Sequence, residues 1–94
     1  YQSGNFATAL REWKPLAEKG NADAQYLVGG MYATGQVVIR DWVFIHMWGN
    51  LSASNGNEKG GKLRDLAAKN MTPSQLETAQ KLARECVRKK YKGC

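Results

Sequence analysis

The feature that most constrains the fold of this chain is an internal repeat at an offset of 36 residues. The segment Leu16–Asn21 aligns with Ser52–Asn57: both have alanine at the second position, both end in Gly-Asn, and each follows a tryptophan. A period in the thirties is typical of two-helix units that stack, because such a unit buries its apolar face only against a neighbour. The repeat therefore predicts an all-α fold.

Apolar spacing and capping signals divide the chain into five predicted helices. Gly20 and Gly56 follow apolar stripes and predict helix ends. Asp41 and Thr72 precede apolar stripes and predict helix starts, and Gln75 completes a capping box with Thr72. Between these signals the apolar residues recur at helical spacing. The predicted helices cover about residues 5–19, 22–34, 41–55, 58–69 and 73–89.

We expect these helices to form a right-handed α/α superhelix, in which a long C-terminal capping helix closes two helix pairs. A length of 94 residues suits one domain, residues 1–94. Two stacking units fall short of the three or so that an independent solenoid usually needs. We therefore expect the last helix, or a homodimer of the chain, to add stability. The apolar face predicted for that helix consists of Leu76, Ala79, Leu82, Ala83, Cys86 and Val87.

The segment from residue 24 to residue 57 resembles one unit of the Sel-1-like repeat family, a relative of the tetratricopeptide repeats. The resemblance rests on Ala24–Gly35, on Val38, Asp41, Ile45 and Trp48, and on Ala53–Asn57. The tail from Met71 to Cys94 is similar to a closing segment common in bacterial members of that family. The resemblance implies an α/α superhelix that serves as an interaction scaffold, and it leaves the partner unnamed.

The net charge is concentrated at one end of the chain. The sequence has 14 Lys and Arg and 8 Asp and Glu, a formal net charge of +6. Residues 1–80 hold eight basic and seven acidic groups, whereas residues 81–94 hold six basic groups and only Glu85 as an acid. A nucleic-acid-binding domain needs a basic face on the fold itself. The charge distribution therefore disfavours nucleic acid as the partner.

The basic tail has three interpretations, which we rank. The first is a solvated outer face of the capping helix, because solenoid ends need a polar surface. The second is a site for an acidic protein partner, and the third is an anionic membrane or nucleic acid. The candidate anionic-partner patch consists of Lys81, Arg84, Arg88, Lys89, Lys90 and Lys92.

No segment of the sequence predicts membrane insertion or a targeting signal. The longest apolar run, Trp42–Trp48, is far shorter than the roughly 18–20 residues that span a bilayer. The chain begins at Tyr1 without the charged and apolar regions of a signal peptide. We expect it to be a processed or trimmed piece of a longer protein.

Cys86 and Cys94 are the only cysteines, and their state depends on the compartment. A reducing cytosol leaves them free, whereas an oxidising compartment bridges them. One continuous helix would hold them about 12 Å apart along its axis, beyond the roughly 7 Å between Cα atoms that a disulfide tolerates. A bridge therefore requires the helix to stop near residues 87–90 and a turn at Gly93. We favour this structural bridge, and with it a periplasmic or secreted location, although a cytoplasmic one stays open.

The residue types that carry chemistry do not assemble into a catalytic, metal or cofactor site in the sequence. His46 is the only histidine and lies in an apolar helix, so we interpret it as structural. Asp41 is explained by capping, and Gly29, Gly30 and Gly35 lack the strand and the Gly-Lys-Ser/Thr ending of a phosphate loop. We predict no catalytic residues, no metal and no cofactor.

The candidate partner-binding surface comes from the first helix of each pair, which should line the inner face of the stack. Trp42–Leu51 is apolar almost all round, and Val43, Phe44 and Met47 exceed what the repeat core requires. Surplus apolar residues mark either core or an interaction site. The candidate surface consists of Asn5, Thr8, Glu12, Lys14, Phe44, Met47 and Asn50.

The sequence thus predicts a non-catalytic scaffold for a protein or peptide partner, in the bacterial envelope. One alternative is an enzyme that binds or hydrolyses β-lactams, as cysteine-rich relatives of the repeat family imply, although no Ser-x-x-Lys motif is present. Another alternative is a fragment of a longer repeat array with a purely structural role.

Overall fold

The computed structural model of the chain describes residues 6–34 and 41–94, with the side chains of residues 6 and 7 excepted. These residues form the five predicted helices, so the expectation of an all-α fold is confirmed. Each helix begins and ends within two residues of its predicted bounds. The helices are α1 (Phe6–Ala17), α2 (Ala22–Thr34), α3 (Trp42–Ser54), α4 (Glu58–Ala68) and α5 (Pro73–Arg88).

The helix starts predicted from Asp41 and Thr72 are confirmed. The Asp41 carboxylate accepts hydrogen bonds from the backbone N–H groups of Val43 and Phe44, at 3.0 and 3.3 Å. Thr72 and Gln75 form the reciprocal capping box at the start of α5. Each cap supplies acceptors for N–H groups that the first helical turn leaves unpaired.

The Gly-Asn turns after α1 and after α3 have the same backbone structure. After α1, Gly20 has a φ of +89° and the N–H of Asn21 bonds the carbonyl of Leu16. After α3, Gly56 has a φ of +107° and the N–H of Asn57 bonds the carbonyl of Ser52. This pattern ends a helix in the left-handed region, where glycine carries no Cβ penalty.

The asparagine of each turn then caps the next helix. The side-chain oxygen of Asn21 accepts from Ala24 N–H at 2.9 Å, and that of Asn57 accepts from Lys59 N–H at 2.9 Å. Gly-Asn therefore stops one helix and starts the next within two residues. This pairing explains physically why the same dipeptide stands at both turns.

The second turn packs on the start of α2, and so it joins the two helix pairs. The Ser52 hydroxyl donates to the Ala22 carbonyl at 2.7 Å, and the Asn57 amide donates to the Asp23 carboxylate at 2.9 Å. Ser52 is fully buried, so its hydrogen bond satisfies a group that would otherwise be costly to bury.

Helix α3 is the centre of the molecule, since α2, α4 and α5 all pack against it. Its residues Ile45, Trp48 and Leu51 lie in the core and are at most 2% exposed. Helix α1 packs chiefly on α2. Helices α4 and α5 follow each other in sequence but share no substantial interface, because both lie on α3.

The end of α5 also has the hydrogen bonds of a helix stop, but without glycine. The N–H of Tyr91 bonds the carbonyl of Cys86 at 2.8 Å, and Lys90 and Tyr91 have φ values of +55° and +67°. The chain then turns back at Gly93, whose φ is +74°, and a disulfide joins Cys86 to Cys94. The predicted bridge, helix stop and turn at Gly93 are therefore present, with a Cα separation of 5.9 Å.

Residues 89–94, which we call the C-terminal turn, rest on both Gly-Asn turns. The Tyr91 ring covers Gly20, where an added Cβ would lie 3.2 Å from the ring. The Tyr91 hydroxyl lies 3.4 Å from the Asn55 side-chain amide, and the N–H of Gly93 donates to Glu18 at 3.1 Å. The bridged tail thus contacts the loops of both helix pairs.

Candidate partner-binding surface

The candidate partner residues of α1 lie apart from those of α3. Thr8 and Glu12 are exposed on α1, and Lys14 is half-buried. Asn5 lies outside the described residues. Because α1 packs on α2 and shares no substantial interface with α3, the described residues do not bring the predicted set into one continuous surface.

Two of the α3 candidates serve the interior. Phe44 is half-buried, and its ring stacks on Tyr32 with centroids 5.8 Å apart. Met47 is 1% exposed and belongs to the core that α5 covers. The prediction that Met47 offers its side chain to a partner is therefore wrong, because the last helix packs on this part of α3.

Asn50 is half-buried and lies beside a cavity between α3 and α5. Its side-chain oxygen accepts from Arg64 of α4 at 3.4 Å. The cavity, which we call the α3–α5 slot, has a volume of about 230 Å³. Its α3 wall consists of Asn50, Leu51 and Ser54, and its α5 wall of Gln80, Ala83, Arg84 and Val87.

Val87 departs from the predicted apolar face of α5. It is 52% exposed, whereas Ala79, Ala83 and Cys86 of the same face are at most 5% exposed. One feature of the sequence indicates this difference. Val87 lies three residues after Arg84, so the two are neighbours on the helix surface at the edge of the apolar stripe. The α3–α5 slot itself could not be read from the sequence, because it depends on how α5 lies across α3.

Other depressions in the described part of the chain include one of about 290 Å³ beside Glu85, Arg88 and Lys89 and two that lie between helices. One of about 150 Å³ lies at the opposite edge of α5, where Phe44 and Met47 meet Leu82 and Cys94. Another of about 230 Å³ lies between α2 and α4 and is lined by Tyr26, Lys59, Lys62, Leu63 and Leu66. The second matches the α3–α5 slot in volume and so provides a comparison site on the same molecule.

The predicted anionic-partner patch is exposed along its whole length. All six of its cations are exposed. The described residues form one ion pair, between Arg64 and Asp65 of α4. None of the six cations is therefore paired with a carboxylate of the described residues. Lys81, Arg84 and Arg88 are spaced by three and four residues, which places them on one side of α5. We call these three the α5 basic stripe.

His46 has the structural environment expected of it. It is 4% exposed, and its Nδ1 atom has no hydrogen-bond partner. Burial lowers the pKa of His46 below its usual value near 6.5; Arg64 lowers it further, and Asp65 opposes the shift. A buried, neutral imidazole beside an apolar core suits a structural role. Within residues 6–34 and 41–94, no three His, Cys, Asp or Glu side chains cluster as metal ligands would.

None of the helices in the described part of the chain is long and apolar enough to cross a bilayer. No protein-family model, no curated protein and no solved structure matches the chain.

Proposed function

We propose that this chain is a non-catalytic scaffold of Sel-1-like repeats that binds a protein or peptide partner. In this proposal α1–α2 and α3–α4 are successive units of a right-handed superhelix, and α5 closes the stack. The partner binds on the α3–α5 side.

The observation that carries the proposal is the docking of one Gly-Asn turn on the unit before it. Both turns use the same helix stop and the same asparagine cap, and Ser52 and Asn57 bond the first turn of α2. Units that bury themselves on a neighbour in this way are the basis of repeat scaffolds. Such scaffolds bind through extended surfaces rather than through a catalytic pocket.

The disulfide supports a place in an oxidising compartment, the periplasm or the exterior. Structural disulfides persist there and are rare in the cytosol of most organisms. In this chain the bridge closes a short segment that contacts Glu18, Gly20 and Asn55. Its role in the proposal is to hold α5 against the stack.

Peptide display on the oxidised chain tests the proposal. A random library of 12-residue peptides is panned on the immobilised protein, and enriched sequences are then measured free in solution. We expect a convergent family of peptides that bind with a Kd in the micromolar range and shift the backbone amide resonances of α3 and α5. Failure of any sequence family to emerge, or turnover of a chromogenic β-lactam by the purified chain, would overturn the scaffold proposal.

A further inference from the structure

We propose that the α3–α5 slot and the α5 basic stripe together bind an acidic peptide segment that carries one large apolar side chain. This inference rests on the proposed function and specifies the chemistry of its partner. The apolar side chain enters the slot, and carboxylates on either side of it contact Arg84 and Arg88.

The slot has the size and lining of a site for a single side chain. Its volume of about 230 Å³ lies below the roughly 300–1,000 Å³ of pockets for drug-sized ligands. Leu51 and Ala83, which are 2% and 5% exposed, form its apolar base. Val87 stands beside them 52% exposed, and an apolar group placed there would remove its surface from water.

The rim of the slot supplies polar groups for a peptide backbone. Asn50, Ser54 and Gln80 offer two amides and a hydroxyl, each able both to donate and to accept. An apolar base with a polar rim is the usual composition of a peptide anchor site. A bare hydrophobic patch would lack the groups that fix the direction of a bound chain.

Charge identifies the partner as acidic. Arg84 lies in the wall of the slot, and Lys81 and Arg88 lie on the same side of α5. Glu77 and Glu85 lie on the same helix, so α5 and the C-terminal turn together hold six cations against two carboxylates, a net charge of +4. No ion pair to Lys81, Arg84 or Arg88 is found in the described part of the chain. An acidic peptide would bring the missing carboxylates, and Arg can bind each of them with two parallel hydrogen bonds.

The comparison depression between α2 and α4 has a smaller excess of charge. Helix α4 carries Lys59, Lys62 and Arg64 against Glu58 and Asp65, a net charge of +1, whereas α5 and the C-terminal turn together have a net charge of +4. The α5 side therefore has the stronger attraction for an anionic ligand, although the two cavities have equal volumes of about 230 Å³.

A protein ligand fits this surface better than a nucleic acid does. Single-stranded nucleic acids bind through aromatic rings on which bases stack. Tyr91 is the aromatic residue among the basic groups of the tail, and its ring is already packed against Gly20. A slot for one apolar side chain also has no counterpart in a phosphate backbone.

The test uses the peptides that display selects on the oxidised chain. We expect the selected sequences to contain one Leu, Ile, Met or Phe flanked by Asp and Glu. Binding is measured by fluorescence anisotropy for the wild type, for R84E/R88E and for V87D. We expect each variant to weaken binding at least tenfold, and we expect wild-type binding to fall steeply as salt is raised.

The control variant is K59E/K62E, which makes the same charge change beside the comparison depression. It should leave peptide binding within about twofold of the wild type, since surface charges far from the site are screened. Thermal unfolding followed by circular dichroism checks that each variant is folded. R84Q/R88Q, which removes charge without reversing it, should show a smaller loss than R84E/R88E.

Each other outcome rejects the inference in a distinct way. Selected peptides that are neutral or basic would overturn it and leave the scaffold function standing. A loss in K59E/K62E that matches or exceeds the loss in R84E/R88E would move the site to α2 and α4. Tighter binding to phosphatidylglycerol vesicles than to the peptides would replace the protein partner with a membrane surface. Absence of any selected peptide would overturn the proposed function itself.

Discussion

Helix α3 meets α4 and α5 through two different kinds of interface. Against α4 the backbones nearly touch: a Cβ added to Gly49 would lie 2.8 Å from the nitrogen of Arg64 and from the oxygen of Gly60. Against α5 the contact runs through the small side chains Ala79 and Ala83, and cavities remain on both edges of the helix. The α3–α4 interface is tightly packed because glycine has no side chain. The α3–α5 interface leaves cavities.

The two interfaces differ in the room that they leave for a ligand. A backbone-to-backbone contact has no room for a ligand, and any added atom must displace the helices. A contact through alanine spaces the helices further apart and leaves slots where larger side chains end. We therefore expect substitutions at the α3–α4 contact to change stability, and substitutions at the edges of α5 to change binding.

The largest effect is expected from Gly60→Ala, which would break the close contact. The new Cβ would lie 2.5 Å from the Cβ and Oγ atoms of Ser52 and 2.8 Å from the Gly49 carbonyl oxygen. It would also disturb the Ser52 hydrogen bond to Ala22. We expect the free energy of unfolding to fall by about 3 kcal/mol, measured by urea denaturation.

Gly61→Ala is the matched control, because the neighbouring glycine has room. A Cβ there would meet Arg64 Nη2 at 3.5 Å and Ala53 Cβ at 3.7 Å, both ordinary contacts. Alanine also favours helix over glycine by up to about 1 kcal/mol. Gly61→Ala should be neutral or stabilising, and equal losses in the two variants would show that the α3–α4 contact is not close.

The next effect concerns how firmly α5 is held. Replacing both Cys86 and Cys94 with alanine opens a short loop and should lower the free energy of unfolding by about 2.5 kcal/mol, from the entropy of loop closure. Hydrogen exchange should increase first in the last turn of α5 and in residues 89–94. If hydrogen-exchange protection at the end of α5 is the same in this variant as in the wild type, the contacts with α3 are enough to hold the helix.

A smaller effect is expected from Thr72→Ala at the start of α5. The substitution removes the acceptor of the Gln75 N–H and half of the capping box. The cost should be about 1 kcal/mol in thermal or urea unfolding. Thr78→Ala, which removes an exposed hydroxyl bonded within the helix, is the control and should change stability by less than about 0.5 kcal/mol.

The smallest effect is a pH dependence at the α3–α4 interface. Burial lowers the pKa of His46 in the folded state, so the unfolded chain binds this proton more strongly. The contribution of neutral His46 is complete above pH 6.5 and is lost progressively as the pH falls from 6.5 toward the lowered pKa. Urea titrations between pH 7.5 and 5 should show this loss, and it should be absent in His46→Gln.

The sequence predicted the helices because helix ends are set by residues close together in the chain. Gly20, Gly56, Asp41 and Thr72 each act within one turn, and each does what its residue type predicts. The disulfide could also be predicted from the sequence, since its geometry needs only a helix stop and a turn. Lys90 and Tyr91 in the left-handed region were not foreseen, because the bridge and the contact with Gly20 hold them there.

The candidate site was predicted less well, because exposure depends on which helices cover each other. The six cations of the anionic-partner patch are exposed as expected. Met47, however, is buried under α5, and Val87 is about half exposed. Both residues lie on apolar stripes, and a stripe shows which face is apolar without showing what packs on it. The same holds for Gly60 and Gly61, of which only the first is a close contact.

The five helices, their caps and stops, the two Gly-Asn turns and the concentration of charge at one end follow from the amino-acid sequence. These features depend on local backbone chemistry and on composition. The packing of α5 on α3, the close approach of α4 to α3 at glycine, and the slot beside Arg84 and Val87 follow from the tertiary structure. Those outcomes depend on contacts between residues far apart in the chain, where the fit of whole helices decides which side chains are covered.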